Sequence, residues 1–79
     1  MFINKTSDGK NNICGENIAR LRKSKKISQR ELADRLQVLG LDVDKNAIQR
    51  IEAGKRFVTD IDLKAISGFF GVSVDSLLQ

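Results

Sequence analysis

The chain has 79 residues, enough for one small domain, and its 41% hydrophobic and 30% charged residues are typical of a globular protein. It has one cysteine, Cys14, and no histidine, so an internal disulfide, a zinc site and the usual general base of catalysis are all excluded. We therefore expect no enzyme activity, no catalytic residues, no metal and no cofactor. No apolar run approaches the ~20 residues of a membrane span, and we expect no membrane partner.

The net charge of +4 is distributed unevenly along the chain. Residues 13–26 alone account for +4, whereas residues 57–79 carry −2. A domain that is basic at one end and mildly acidic at the other suits a polyanion such as nucleic acid on one face. An ordinary solvated helix surface would give the same pattern, so charge alone does not decide between them.

Residues 1–12 are polar, lack apolar periodicity and end in a turn-prone run at residues 8–12. We expect a flexible N-terminal arm over 1–12, followed by a single domain over 13–79. From residue 13 onwards helical spacing recurs, interrupted by helix caps, and proline is absent. The sequence therefore predicts an all-α fold.

Caps and apolar stripes delimit five short helices, the first over about residues 13–25. The predicted N-terminal caps are Ser28 with Glu31 as a capping box, Asp44, Thr59 with Asp62, and Ser73. The predicted C-terminal stops are Gly40, Gly54 and Gly71. The stripes, in chain order, are Cys14, Ile18 and Leu21; Leu32, Leu36 and Leu39; Ile48 and Ile51; Leu63, Ile66 and Phe70; and Val74, Leu77 and Leu78.

The third helix, over about residues 44–53, carries the most informative pattern. At ~100° per residue its two isoleucines define the inward side. The outward side then presents Lys45, Asn46, Gln49 and Arg50. These residue types bind base edges in the major groove, Asn and Gln at adenine and Arg or Lys at guanine. A polar helix face of this kind is also common in proteins that bind no DNA.

Two charged residues fall beside apolar stripes. Glu52 lies ~40° from Ile48 on the third helix, and Arg22 has the same relation to Ile18 on the first. An unpaired charge in such a position is unfavourable, and the simplest solution is one Arg22–Glu52 ion pair that joins the two helices. The alternative is that both side chains extend to water.

Four segments together identify a family: residues 15–22 (GENIARLR), 27–33 (ISQRELA), 48–56 (IQRIEAGKR) and 70–78 (FGVSVDSLL). The sequence resembles the lambda-repressor-like helix-turn-helix family of the xenobiotic-response-element type over roughly residues 13–78. The resemblance implies a compact five-helix DNA-binding domain in which helices 2 and 3 form the helix-turn-helix. It also implies that helix 3 reads the major groove of double-stranded DNA.

The resemblance also implies a role for individual residues. Lys45, Asn46 and Arg50 match positions that contact bases, with Gln49 as a secondary candidate. The positions that contact phosphate in the family are occupied by Gln29, Lys55 and Arg56, with Gln29 acting through its side chain or the adjacent amide. Arg22 and Glu52 match a paired Arg and Glu common in the family.

One segment departs from the family pattern. Residues 37–40 resemble an insertion of about one helical turn, and we expect them to lengthen helix 2, with Leu39 continuing its stripe. Helix 4 has an unusually wide apolar surface. It is either all core, or it leaves Phe69, with Leu77 and Leu78, as a patch for a homodimer on a palindromic operator.

These inferences predict a sequence-specific transcriptional regulator, a repressor by resemblance, that is bacterial or phage-encoded, cytoplasmic and associated with the nucleoid. One alternative is an antitoxin or other protein-interaction module of a toxin–antitoxin pair. Another is the N-terminal domain of a longer regulator.

Overall fold

The computed structural model describes residues 5–79 and contains, within that range, five α-helices and no strand. The helices are α1 (Gly15–Ser24), α2 (Gln29–Val38), α3 (Lys45–Glu52), α4 (Asp60–Phe70) and α5 (Val74–Leu77). The predicted all-α, five-helix fold is confirmed. None of these helices has the length and apolarity needed to cross a bilayer.

Side-chain caps begin four of the helices. Asp44 accepts a hydrogen bond from the amide of Ala47 at 2.8 Å, and Ser73 accepts one from the amide of Ser76 at 3.1 Å. Thr59 and Asp62 form a complete capping box. At Ser28 only half of the predicted box is present: its hydroxyl accepts from the Glu31 amide at 3.0 Å, while the exposed Glu31 side chain makes no return bond. These caps satisfy amides that have no partner inside the helix.

The core is a single cluster of apolar side chains from all five helices and the turn before α3. Its most completely buried large members are Ile18, Leu32, Leu36, Ile48, Ile51, Ile66 and Leu77. Cys14 joins this cluster, and burial raises the pKa of its thiol. The inward faces of α2 and α3 both meet this cluster, which fixes one helix against the other.

The start of α1 lies in contact with the end of α3. A Cβ atom on Gly15 would come 2.2 Å from the backbone oxygen of Ile51, so only glycine permits this approach. The backbone of α1 therefore packs directly on the backbone of α3 at this point.

The turn between α2 and α3 differs from the prediction. Helix α2 ends at Val38, and Leu39 is 53% exposed, so the expectation that Leu39 extends the buried stripe was wrong. The reason is that Gly40 adopts a φ of +94° and redirects the chain. Leu41 and Val43 enter the core instead, and the Gln37 side chain donates to the Val43 oxygen at 2.7 Å. Of the inserted residues 37–40, the first two thus continue α2 and the last two begin the turn.

The predicted flexible arm covers residues 1–12, of which residues 1–4 lie outside the described part of the chain. Residues 5–12 form a turn that packs on the segment after α3. The Asn11 amide donates to the Gly54 oxygen at 2.7 Å, and the Asn12 side chain donates to the Arg56 oxygen at 2.8 Å. These bonds span more than 40 residues, which is why local sequence patterns did not reveal them.

The end of α5 is held by a buried polar residue of α1. Asn17 is 7% exposed, and its side-chain amide donates to the backbone oxygens of Leu77 and Gln79, both at 2.8 Å. The Leu77 side chain is completely buried, so its expected place in a surface patch was wrong. It is a core residue that attaches α5 to the other helices.

Substitution of Gly15 tests the contact between α1 and α3. We expect Gly15→Ala to lower the free energy of unfolding by about 2 kcal/mol, because its Cβ would overlap a backbone atom that has little freedom to move. Gly68→Ala is the matched control: Gly68 is an exposed residue of α4 with no atom within 4 Å of a new Cβ. Alanine there should be neutral or stabilise by up to ~1 kcal/mol. Equal urea midpoints for the two variants would contradict the close contact.

Candidate nucleic-acid interface

Helix α3 has one buried face and one polar face. Ala47, Ile48 and Ile51 are buried in the core. The four residues predicted to read bases, Lys45, Asn46, Gln49 and Arg50, are all exposed. None of these four side chains forms a hydrogen bond or ion pair with another residue of the described chain, 5–79. Their donors and acceptors are therefore free for a ligand.

The segment after α3 folds back toward this polar face. The amides of Lys55 and Arg56 both donate to the backbone oxygen of Arg50, at 2.8 and 3.3 Å. Lys55 is exposed and Arg56 half-buried. The two basic residues predicted to contact phosphate are therefore attached to the last turn of the helix predicted to read bases.

Two neighbouring concave surfaces join these residues. One, of about 630 Å³, is lined by Asp44, Asn46, Ala47, Arg50, Lys55, Arg56 and Phe57. The other, of about 370 Å³, is lined by Asn46, Gln49, Arg50, Ala53 and Lys55. The structure thus brings five of the predicted DNA-contacting residues together. Lys45 is exposed at the start of α3 but lines neither concavity.

Phe57 was not among the residues predicted from the sequence. Its side chain is 58% exposed and lines the larger concavity beside Arg56. An exposed aromatic residue directly after two basic residues is a signal for nucleic-acid contact, but Phe57 lies in a loop outside every helical stripe. A search based on helical periodicity does not find it.

Glu52 turns inward at the end of α3 and pairs with Arg22. The Arg22 Nε atom lies 2.7 Å from Glu52 Oε2, and its Nη2 lies 3.0 Å from Oε1. Only 12% of the Arg22 side chain and 9% of the Glu52 side chain are accessible to solvent. The hydrogen bonds to Glu52 raise the pKa of Arg22, and partial burial opposes them. This bidentate geometry is the strong form of a charged pair.

Gln29 extends the pair into a network. Its side-chain amide donates to Glu52 Oε1 at 3.0 Å, and Arg22 Nη1 donates to the backbone oxygen of Ile27 at 3.0 Å. The network therefore joins α1, the turn before α2, the first residue of α2 and the last residue of α3. The resemblance implies a phosphate contact through either the side chain of Gln29 or its adjacent amide, and the structure turns the side chain toward Glu52. The backbone amide of Gln29 remains at the N-terminus of α2, where anions bind favourably.

Removal of Glu52 tests whether this network holds the helices together. We expect Glu52→Ala to lower the free energy of unfolding by about 3 kcal/mol, because Arg22 would be left largely buried without its partner. The double variant Arg22→Leu/Glu52→Leu should lose much less stability than Glu52→Ala, because it leaves no buried charge without a partner. Glu31→Ala, at an exposed glutamate, is the control and should change stability by less than about 0.5 kcal/mol. Urea denaturation measures all three variants, and a Glu52→Ala protein as stable as the control would contradict the role given to the network.

Comparisons with known proteins agree with this architecture. The model of the helix-turn-helix family matches residues 18–77. The HTH-type transcriptional activator BcrR of Enterococcus faecalis is 38% identical over 64 residues, which make up 81% of this chain. The chain spans only 29% of the length of that relative. No solved structure matches the chain. Because the family match covers most of the chain and confirms the resemblance found in the sequence, this protein belongs to the Cro/C1-type helix-turn-helix family.

Proposed function

We propose that this protein is a sequence-specific transcriptional regulator whose helix α3 lies in the major groove of double-stranded DNA. The observation that carries the proposal is the exposed polar face of α3, whose four side chains have free hydrogen-bonding groups. An α-helix fits the width of the major groove, where each base pair has a distinct pattern of donors and acceptors. Family membership and the relative named as a transcriptional activator support DNA binding and regulation.

The side chains on α3 suit particular bases. Asn46 and Gln49 each offer a donor and an acceptor, which match N6 and N7 of adenine. Arg50 and Lys45 offer only donors, which match O6 and N7 of guanine. The carboxylate of Glu52 is turned away from this face and neutralised by Arg22.

Phosphate contacts belong to a second group of residues. Lys55 and Arg56 extend the positive surface beyond the end of α3. We assign a third phosphate contact to the backbone amide of Gln29, because its side chain is bonded to Glu52. Such contacts give affinity for any duplex and make binding depend on salt.

Phe57 adds an apolar element to this surface. Its exposed ring lines the same concavity as Asn46 and Arg50. Apolar side chains recognise thymine by contact with its C5-methyl group. We therefore assign Phe57 to a thymine beside the bases that α3 reads.

Regulation by repression remains a prediction of the resemblance, as do the cytoplasmic location and the bacterial or phage origin. The relative BcrR is named an activator. The same DNA contacts serve either outcome, because the position of the operator relative to the promoter decides between them.

In a homodimer on a palindromic operator, Leu77 does not contribute to the contact surface, because its side chain is buried. A groove of about 780 Å³ lies between the end of α2 and α4. Val38, Leu39 and Ile61 are exposed apolar residues on its lining, while Gly40, Ala65 and Gly68 leave room between them. Protruding and recessed apolar residues on one face suit a second copy related by a two-fold axis. Of the residues that the sequence suggests for the patch, Phe69 lines this groove, whereas Leu78 does not.

The charges around the groove are also compatible with binding of a second copy of the protein. Arg35 and Lys64 are the two charged residues that line it. Exposed carboxylates lie close to both in the chain, Asp34 next to Arg35 and Asp60 one helical turn before Lys64. A two-fold contact could therefore pair opposite charges. The same groove is the surface that the alternative of a protein-interaction module would use.

Two substitutions separate base contacts from phosphate contacts. We expect Arg50→Ala to weaken binding to a specific duplex by about 1–3 kcal/mol and to change binding to a random duplex little. We expect Lys55→Ala to weaken binding to both duplexes equally and to lower the slope of log affinity against log salt by about 1. Fluorescence anisotropy titrations at several salt concentrations measure both effects. Equal losses of Arg50→Ala on the two duplexes would contradict the assignment of Arg50 to a base.

The dimer surface has its own test. We expect Ile61→Glu to leave the fold intact, because Ile61 is 72% exposed, and to convert a dimer to a monomer at high micromolar concentration. Ile13→Glu, at another exposed isoleucine that does not line the groove, should leave the mass unchanged. Sedimentation equilibrium measures the mass of each protein. A monomeric wild-type protein, free and on DNA, would exclude the dimer.

A further inference from the structure

The turn formed by residues 5–12 contacts the segment that carries the basic residues after α3. Asn11 donates its backbone amide to the Gly54 oxygen at 2.7 Å and its side-chain amide to the Lys55 oxygen at 2.9 Å. Asn12 donates its side-chain amide to the backbone oxygens of Ile51, at 3.1 Å, and Arg56, at 2.8 Å. Two consecutive asparagines thus hold four carbonyl groups between the last turn of α3 and Arg56.

The carbonyl oxygen of the Asn12 side chain is hydrogen-bonded to α1. Its Oδ1 accepts a hydrogen bond from the Gly15 amide at 2.9 Å, at the first residue of that helix. Helix α1 is in turn fixed to α3 by Arg22 and Glu52. Through Asn12, the position of Arg56 is therefore tied to the body of the domain.

Lys10 covers the same segment. A Cβ on Gly54 would come 2.9 Å from its Cγ and Cδ atoms, and Gly54 is buried beneath it with a φ of +77°. The Lys10 ammonium pairs with Glu16 at 2.6 Å, so its charge is matched within the protein. Lys10 thus packs on the loop, while Lys55, the exposed cation on that loop, remains available to a ligand.

We propose that Asn11 and Asn12 are positioning residues for DNA binding, which hold the loop after α3 so that Lys55 and Arg56 meet the DNA backbone without prior ordering. This inference rests on the proposed function. The physical reason is that a long basic side chain on a mobile loop loses conformational entropy when it binds, and a loop already held in place loses less. Neither asparagine needs to touch DNA for this effect.

The chain supplies a matched control in Asn17. Like Asn12, it donates one side-chain amide to two backbone oxygens, but it joins α1 to the end of α5 instead of the basic loop. Asn12→Ala and Asn17→Ala therefore each remove two bonds from an amide to backbone oxygens, and Asn12→Ala also removes the bond that its Oδ1 accepts from the Gly15 amide. Both should lower stability, and only Asn12→Ala should change DNA binding. Thermal unfolding checks that each variant is folded at the assay temperature.

The affinity test is a double-mutant cycle on a duplex selected by the wild-type protein. We expect Asn11→Ala/Asn12→Ala to weaken binding about 10-fold while the salt slope and the preferred sequence stay the same, because Lys55 and Arg56 still contact phosphate but lose more conformational entropy on binding. In a Lys55→Ala/Arg56→Ala background the same change should have almost no further effect. An equal loss in both backgrounds, or an equal loss in Asn17→Ala, would show a general structural role and overturn the proposal.

A measurement without DNA separates this proposal from the proposed function. We expect the NMR order parameters of residues 53–57 to fall in Asn11→Ala/Asn12→Ala while those of α3 remain unchanged. Unchanged order parameters for the loop would overturn the positioning role, whatever the protein binds. If the wild-type protein bound no duplex, the proposed function would fail and the consequence for DNA affinity would fail with it.

Discussion

Glu52 stands at the last residue of α3 with its carboxylate directed inward, against the guanidinium of Arg22 on α1. A carboxylate at this end of a helix is unfavourable by itself, because the helix dipole places partial negative charge there. Arg22 neutralises it with two hydrogen bonds, and Gln29 adds a third from the start of α2. Three helices are thus fixed relative to one another by one carboxylate. The direction in which α3 presents its polar face follows from this constraint.

Side-chain amides play a similar part elsewhere in this small domain. Helix ends leave carbonyl groups without partners, and a short chain has few other residues that can cover them. Asn17 supplies the partners at the end of α5, and Asn12 supplies them at the end of α3 and in the basic loop. The side-chain amides of these two asparagines therefore hold the ends of helices, while the side chains on the polar face of α3 make no such bonds within the described chain.

The sequence predicted those features that depend on neighbouring residues. The caps at Asp44, Thr59 and Ser73 lie within three residues of the amides they bond, and all three are present. Helical periodicity also placed Arg22 and Glu52 on inward faces, where the structure pairs them. Features that depend on distant contacts were missed: the bonds of Asn12 to the end of α3 span about 40 residues, and no local pattern encodes them. The prediction for Leu39 was wrong for a different reason: the helix stops before Gly40 as expected, and Leu41 and Val43 from the following turn fill the core instead. The DNA contacts of individual residues remain predictions, since they depend on the positions of bases and phosphates in the DNA, which this sequence does not encode.

The most direct test of this account is selection from a randomised duplex library, carried out in parallel with the wild-type protein and Arg50→Ala at near-physiological salt. We expect the wild-type protein to enrich an inverted repeat whose half-sites lie about one helical turn apart. We expect Arg50→Ala to enrich the same repeat with the preference lost at one position of each half-site. Binding without enrichment, or an identical motif from both proteins, would contradict the claim that the exposed face of α3 reads the sequence.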